Sequence, residues 1–137
     1  ARHVGCGCGI CIFWNRVFKM SASSKNFAAD ELKCSCCGSY GVQQWALDKL
    51  QQVRTEADRP LTITSSYRCP NHPVEAKKTK AGTHAQGIAF DVYVANGAER
   101  YQIMALGLKH GAKGIGLAKS FVHLDWRDTT KVAWTYS

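Results

Sequence analysis

Three polar residues interrupt or border otherwise apolar segments, and their side chains are of types that bind metal ions. His84 follows a lysine-rich segment, Asp91 lies within the apolar residues 88–94, and His123 lies within the apolar residues 121–126. An ionised carboxylate in such a segment is costly to bury unless a cation or strong hydrogen-bond donors meet it. Two imidazoles and a carboxylate are a common ligand set for catalytic zinc, with the fourth position left for water. These residues are therefore a candidate zinc site.

Each of the three residues also has an ordinary structural interpretation. A single histidine in a strand is commonly a hydrogen-bonded core residue, and a single aspartate commonly caps a turn or pairs with an arginine. The spacing of His84 and Asp91, with six residues between them, is a weak pattern by itself. The assignment therefore depends on the residues that surround them.

The surrounding segments resemble a known enzyme family. Residues 65–70 (SSYRCP), 83–91 (THAQGIAFD) and 121–125 (FVHLD) occur in this order, and residues 26–38 look like the start of the family's short phage and bacterial branch. Over about residues 26–128 the chain resembles the zinc-dependent D-Ala-D-Ala metallopeptidases, peptidase family M15. That family includes cell-wall carboxypeptidases and phage endolysins, and it shares its fold with the hedgehog signalling domain.

The resemblance implies three zinc ligands and an arginine that contacts the substrate. In the family, the residues that match His84, Asp91 and His123 bind zinc, and the residue that matches Arg68 lies at the substrate near the metal. Zinc polarises the scissile carbonyl and lowers the pKa of its water. A guanidinium can fork onto a carboxylate or onto a developing oxyanion. A structural salt bridge is the alternative role for Arg68.

The general base is the part of the family pattern that this chain does not reproduce. Many relatives carry an acidic residue a few positions before the last histidine ligand, whereas residues 117–120 contain none. Asp125 instead follows His123 by two positions, and residues two apart on a strand share a face. We expect Asp125 to lie beside the metal, as a general base or as a partner that orients an imidazole. We favour the catalytic role, because residues 117–120 offer no acid.

The cysteines support a separate hypothesis. The chain has 7 cysteines, and an odd number leaves at least one thiol without a disulfide partner in a monomer. A second, structural zinc site with three cysteines and one histidine is one interpretation. A disulfide from the cluster at residues 34–37 to Cys69, or buried reduced thiols, are the alternatives. The residues concerned are Cys34, Cys36, Cys37, Cys69 and His72.

Length and composition limit the classes of protein that remain. The chain has 137 residues, of which 45% are hydrophobic, so it can form one domain with its own core. No apolar run approaches the roughly 20 residues of a membrane-spanning helix. The net charge of +8 is dispersed and raises affinity for polyanions without selecting one, so we expect no specific nucleic-acid partner. A nucleic-acid-binding, cysteine-rich protein is nevertheless the third functional hypothesis.

The periodicity of apolar residues predicts the elements that must position these side chains. Helices are expected at residues 28–32, after an Asn26 cap, at residues 41–57, and after a cap at Asn96, where Glu99 completes a capping box. The last helix would bury a stripe of Tyr101, Met104, Ala105 and Leu108. Strands are expected at residues 61–64, 88–94, 114–117, 121–126 and 131–136. This order predicts an α+β fold with a small antiparallel sheet flanked by helices. The family resemblance implies that this fold is similar to that of the hedgehog domain and the D-Ala-D-Ala peptidases.

The predicted organisation is a leader followed by one enzymatic domain. Residues 1–25 form a Cys/Gly-rich leader or arm, and residues 26–137 form the zinc metallopeptidase-like domain. The resemblance implies cleavage of peptide bonds in peptidoglycan peptides, by a carboxypeptidase or an endopeptidase. The alternative is a catalytically silent, zinc-bound binding or structural module of the same fold in a virion or envelope assembly.

The site of action follows from the same expectations. We expect the protein to act at the bacterial cell wall. The sequence shows no signal peptide pattern, which predicts delivery by a phage, association with a virion, or release by lysis. Residues 1–19 would then contact other virion or envelope proteins.

Overall fold

A computed structural model of the protein describes residues 21–137, and its strands form one five-stranded mixed sheet beside helices. The predictions for residues 1–19 therefore lie outside the described residues. The elements are a 3₁₀ helix Ala29–Glu31, α1 Gln44–Ala57, β1 Ile63–Ser65, β2 Ala89–Tyr93, α2 Gly97–Lys109, β3 Gly114–Leu117, β4 Phe121–Asp125 and β5 Val132–Thr135. The predicted α+β class is confirmed. Among these described residues, no helix is long and apolar enough to cross a membrane.

The sheet has the strand order β1-β2-β4-β3-β5, and one of its pairings differs from our expectation. We expected an antiparallel sheet, and the first three pairings are antiparallel, but β5 runs parallel to β3. The physical reason is that β2 and β3 already occupy both edges of β4. Because the chain reverses direction over residues 126–131, β5 runs antiparallel to β4 and joins the outer edge of β3 in parallel.

Side-chain caps confirm one predicted helix start and correct another. Asn96 caps α2, because its Oδ1 accepts a hydrogen bond of 2.9 Å from the Glu99 amide. Asn26 does not cap the 3₁₀ helix, whose first cap residue is Ala28. The Asn26 side chain instead accepts a hydrogen bond of 2.7 Å from Gln51 Nε2, and the Asn26 backbone N–H donates to Gln51 Oε1. Asn26 thus joins the start of the domain to α1.

The predicted apolar stripe of α2 is wrong for Tyr101 and Leu108, whereas its member Met104 is partly buried and packs against the core. Tyr101 and Leu108 are 69% and 57% exposed, whereas the buried residues of the helix are Ile103 and Gly107. A Cβ added at Gly107 would overlap the Leu124 side chain of β4. The smallest residue of the helix therefore faces the sheet, because that rotation allows the closest packing. Close approach to β4, rather than total apolar content, decides which face is buried.

The register of the central strands determines which side chains meet. Asp91 on β2 lies directly opposite His123 on β4, so the two side chains share one face of the sheet. Asp125 lies two residues after His123 and shares that face. Phe90 and Leu124 alternate to the other face and lie in the apolar core. The sheet thus separates a polar cluster from the core by strand alternation alone.

Candidate functional site

His84, Asp91 and His123 converge on one point at the polar face of the sheet. One ligand atom from each residue lies within 4.8 Å of the others, and all three residues are buried. Asp91 Oδ1 is 3.3 Å from His84 Nε2 and 3.0 Å from His123 Nδ1. Two strands supply Asp91 and His123, and the loop before β2 supplies His84. The structure therefore brings together the three residues that we predicted from the sequence to be metal ligands.

A backbone carbonyl sets the orientation of the His84 ring. His84 Nδ1 lies 2.6 Å from the carbonyl oxygen of Ser66, which can only accept, so Nδ1 carries the proton and donates. In the neutral ring, Nε2 then presents its lone pair toward Asp91. A metal-binding histidine is usually supported by such a hydrogen bond at its outer nitrogen, the ring nitrogen that does not face the metal.

Asp125 orients the His123 ring in a similar way, through a hydrogen bond at the ring nitrogen that faces away from Asp91. His123 Nε2 lies 2.7 Å from Asp125 Oδ2, and Nδ1 is left facing Asp91. The Arg127 guanidinium forks onto Asp125 at 2.8 and 2.6 Å, and Asp125 is fully buried. Burial raises the pKa of Asp125, but the hydrogen bonds from Arg127 and His123 outweigh burial and lower it. Asp125 is therefore an ionised acceptor at the Nε2 edge of the imidazole.

The electrostatics of the converging group favour a positive charge at its centre. Burial raises the pKa of Asp91, but hydrogen bonds with His123 and His84 hold the pKa at about 2. Burial also lowers the pKa of His123, while its hydrogen bonds with Asp125 and Asp91 raise it overall. Both shifts favour a positive charge between the His123 imidazole and the Asp91 carboxylate. A divalent cation meets the same need more completely.

Arg68 lies at the edge of this group with its charge only loosely paired. Its guanidinium nitrogens are 3.7 Å from Asp91 Oδ2 and 3.8 Å from Glu75 Oε2, which is longer than a normal hydrogen bond. Glu75 is buried and accepts from Lys78 Nζ at 2.9 Å and from the Gly82 amide at 3.1 Å. Sequence reasoning missed Glu75, although an acid inside a lysine-rich loop was the available signal.

The group opens into a cavity of about 700 Å³. Trp134 on β5 covers one side, with its ring 5.0 Å from the His123 ring and the Arg127 guanidinium 5.4 Å above the indole. No local sequence signal selects Trp134, because the parallel pairing of β5 with β3 is what brings it here. The cavity-lining residues that bear on chemistry are Arg68, Lys78, His84, Asp91, His123, Arg127, Asp128 and Trp134.

A second cluster of candidate ligands consists of cysteines. The sulfur atoms of Cys34, Cys37 and Cys69 lie within 4.8 Å of one another, and all three residues are buried. Burial raises the pKa of Cys34, but hydrogen bonds from backbone amides, first that of Cys69, lower it overall. Cys36 packs against this cluster without being part of the sulfur group. His72 is also outside it, and its Nδ1 accepts a hydrogen bond from the Val74 amide.

A family model described as Peptidase M15 matches residues 25–125 of the chain. The chain belongs to the peptidase M15 family. This match spans Arg68, the three converging side chains and Asp125, and it ends before Arg127 and Trp134. No curated protein matches the chain. The family assignment agrees with the resemblance found in the sequence, and membership of a peptidase family supports peptidase activity.

Proposed function

We propose that this M15 family member is a zinc-dependent peptidase that cleaves peptide bonds in peptidoglycan peptides. The observation that carries the proposal is the convergence of His84 Nε2, His123 Nδ1 and Asp91 Oδ1 at the wall of an open cavity. Two imidazole nitrogens and one carboxylate oxygen match the ligands that catalytic zinc prefers. Zinc bound there would polarise a substrate carbonyl and lower the pKa of a water molecule.

The cavity also suits a substrate that carries carboxylates. Arg68, Lys78 and Arg127 line it, and Arg68 is the cation whose ion pairs are longest. A guanidinium with unused donors can hold a peptide carboxylate or the oxygen of the scissile carbonyl. Peptidoglycan stems carry free carboxylates, and the net charge of +8 favours the anionic wall. These features support action at the bacterial cell wall.

The geometry supports a positioning role for Asp125 rather than that of a general base. Both of its oxygens accept hydrogen bonds, from Arg127 and His123, and the residue is fully buried. A base must reach the water or substrate proton that it removes. Asp128 also follows β4, but it is exposed and lines the cavity. Asp125 therefore holds the His123 ring in place, and Asp128 is the carboxylate to compare with it.

The experiment that tests the proposal is digestion of purified peptidoglycan by the zinc-loaded chain, with mass spectrometry of the products. Release of single terminal residues would identify a carboxypeptidase, and conversion of cross-linked stems to monomers would identify an endopeptidase. The conservative variant Arg68→Lys should lose most of the rate, because a lysine ammonium cannot make the bidentate contact that a guanidinium makes with a carboxylate. Arg54→Lys, on α1, is the matched control and should keep the wild-type rate. Tight zinc binding without any released product would instead favour a silent module of the same fold.

A further inference from the structure

We infer that Cys34, Cys37 and Cys69 form a second metal site, a thiolate site for zinc that lies apart from the catalytic cavity. Their sulfur atoms lie within 4.8 Å of one another and all three residues are buried. None of them lines the cavity that contains His84, Asp91 and His123. The inference does not depend on the proposed function, because it concerns separate residues.

Cys34 and Cys37 lie on one turn, which brings their sulfur atoms close together. They have the spacing Cys-x-x-Cys followed by Gly38, which adopts a positive φ of 76°. The Gly38 amide donates to the Cys34 carbonyl at 2.8 Å, and the Cys34 amide donates to the Ser39 carbonyl at 2.8 Å. Glycine adopts this conformation without steric cost. The turn therefore holds Cys34 and Cys37 as a pair, as structural zinc sites require of Cys-x₂-Cys segments.

Backbone amides point at the sulfur of Cys34. The Cys69 amide donates to Cys34 Sγ at 3.4 Å, which joins the third cysteine to the pair. N–H groups directed at sulfur favour the thiolate, and the thiolate is the form that binds metal. Thiols that serve only as apolar packing have no need of such donors. The arrangement is therefore better suited to a metal-bound sulfur than to a buried apolar side chain.

The distances between the sulfurs fit a metal better than a disulfide. Zn–S bonds of about 2.3 Å in a tetrahedron place sulfurs about 3.8 Å apart, so sulfurs within 4.8 Å need to move by about 1 Å or less. A disulfide requires about 2.05 Å between two sulfurs and would leave the third outside it. Cys34 and Cys37 form no disulfide. The fourth position of the ion remains for a further ligand.

Metal at this site would fix the segment that carries Arg68. Cys69 is the next residue in the chain, and Tyr67, on the other side of Arg68, packs against the sulfur cluster. The Tyr67 amide also donates to the Leu32 carbonyl at 3.3 Å, close in sequence to Cys34. The sulfur site therefore ties the arginine-bearing loop to the start of the domain. Its expected role is structural, because none of the three cysteines lines the cavity.

The test is metal analysis of the full chain, purified with reductant and loaded with cobalt in place of zinc. We expect about two metal ions per chain and an intense thiolate-to-cobalt absorption. Cys37→Ser should hold about one ion and lose that absorption. His84→Ala should also hold about one ion but keep the absorption. Ser35→Ala, an exposed change in the same turn, is the matched control and should keep both ions.

Three results would overturn the inference. They are a wild-type cobalt form without thiolate absorption, an unchanged absorption in Cys37→Ser, and a disulfide between any two of the three cysteines in peptide mapping. If Cys37→Ser does not fold, the wild-type spectrum still decides, because it needs no variant. The His84→Ala result reports on the cavity site alone, so failure of the proposed catalytic site remains distinguishable.

Discussion

Residues 21–137 contain two groups of buried side chains whose types could bind a metal ion, and the two groups differ in how the fold holds them. His84, Asp91 and His123 stand at one face of a sheet and line an open cavity. Cys34 and Cys37 stand on a turn next to a second loop, away from that cavity. The first group can meet a substrate, whereas the second can only connect segments of chain. Access to the cavity, rather than the number of ligands, separates the proposed catalytic centre from the proposed structural site.

The two groups also differ in what orients their ligand atoms. The His84 and His123 rings are each held at the outer nitrogen, by the Ser66 carbonyl and by Asp125. The sulfurs are held by the backbone turn and by an amide that donates to Cys34. Loss of a supporting side chain should therefore weaken the first group and leave the second unchanged. Four substitutions test this difference.

The largest effect is expected for His84→Ala, which removes a ligand of the cavity site. We expect peptidoglycan digestion to fall by at least about 1,000-fold, because the several kcal/mol supplied by a catalytic metal are lost. Zinc should fall by about one ion per chain, measured by elemental analysis. His110→Ala, at the end of α2, is the matched control and should retain zinc and rate. Unchanged zinc in His84→Ala would refute the ligand assignment.

Asp125→Asn should weaken zinc binding in the cavity by roughly 10–100-fold, because the amide supports the His123 ring less well than the carboxylate. Excess zinc should then restore most of the digestion rate. A general base would behave differently, with normal zinc affinity and a rate reduced by about 10²–10⁴-fold that added zinc does not rescue. The measurement is rate against zinc concentration for Asp125→Asn and, in parallel, for Asp128→Asn.

Gly114→Ala tests the position of Asp125 without changing its chemistry. Gly114 lies opposite Asp125 in the sheet, and an added Cβ would overlap the Asp125 carboxylate. We expect a loss of about 1–3 kcal/mol in stability from overpacking, together with weaker zinc binding. Thermal unfolding and zinc titration measure the two effects. In the control Gly97→Ala, the nearest atom to the new Cβ is Arg100 Nη1 at 3.6 Å, so zinc affinity should be unchanged.

The smallest effect is expected for Trp134→Ala. The substitution removes the ring that lies 5.0 Å from His123 and beneath the Arg127 guanidinium. An aromatic contact of about 0.5–1.5 kcal/mol corresponds to a rate loss of up to about tenfold. Trp134→Phe keeps a ring and should retain most of the rate. Equal losses in both variants would show that the indole contributes through something other than ring contact.

Several features of the protein were determined by local sequence. The Asn96 cap and the strand Gly114–Leu117 were predicted correctly, because their signals lie within a few residues of one another. The residues that match the M15 family also lie in short segments, so the family could be recognised without a structure. Strand alternation alone placed His123 and Asp125 on one face.

Tertiary structure alone decided which groups meet. The parallel pairing of β5 brings Trp134 to His123, and the burial of Gly107 rather than Tyr101 follows from contact with Leu124. The proposed role of Asp125 depends on its bidentate contact with Arg127. The spacing of the two residues in the sequence does not show whether such an ion pair is buried or exposed. Each of these outcomes depends on strand order and on distances between segments far apart in the chain. Local sequence carries the chemistry of the side chains, and packing decides which of those side chains remain open to a substrate.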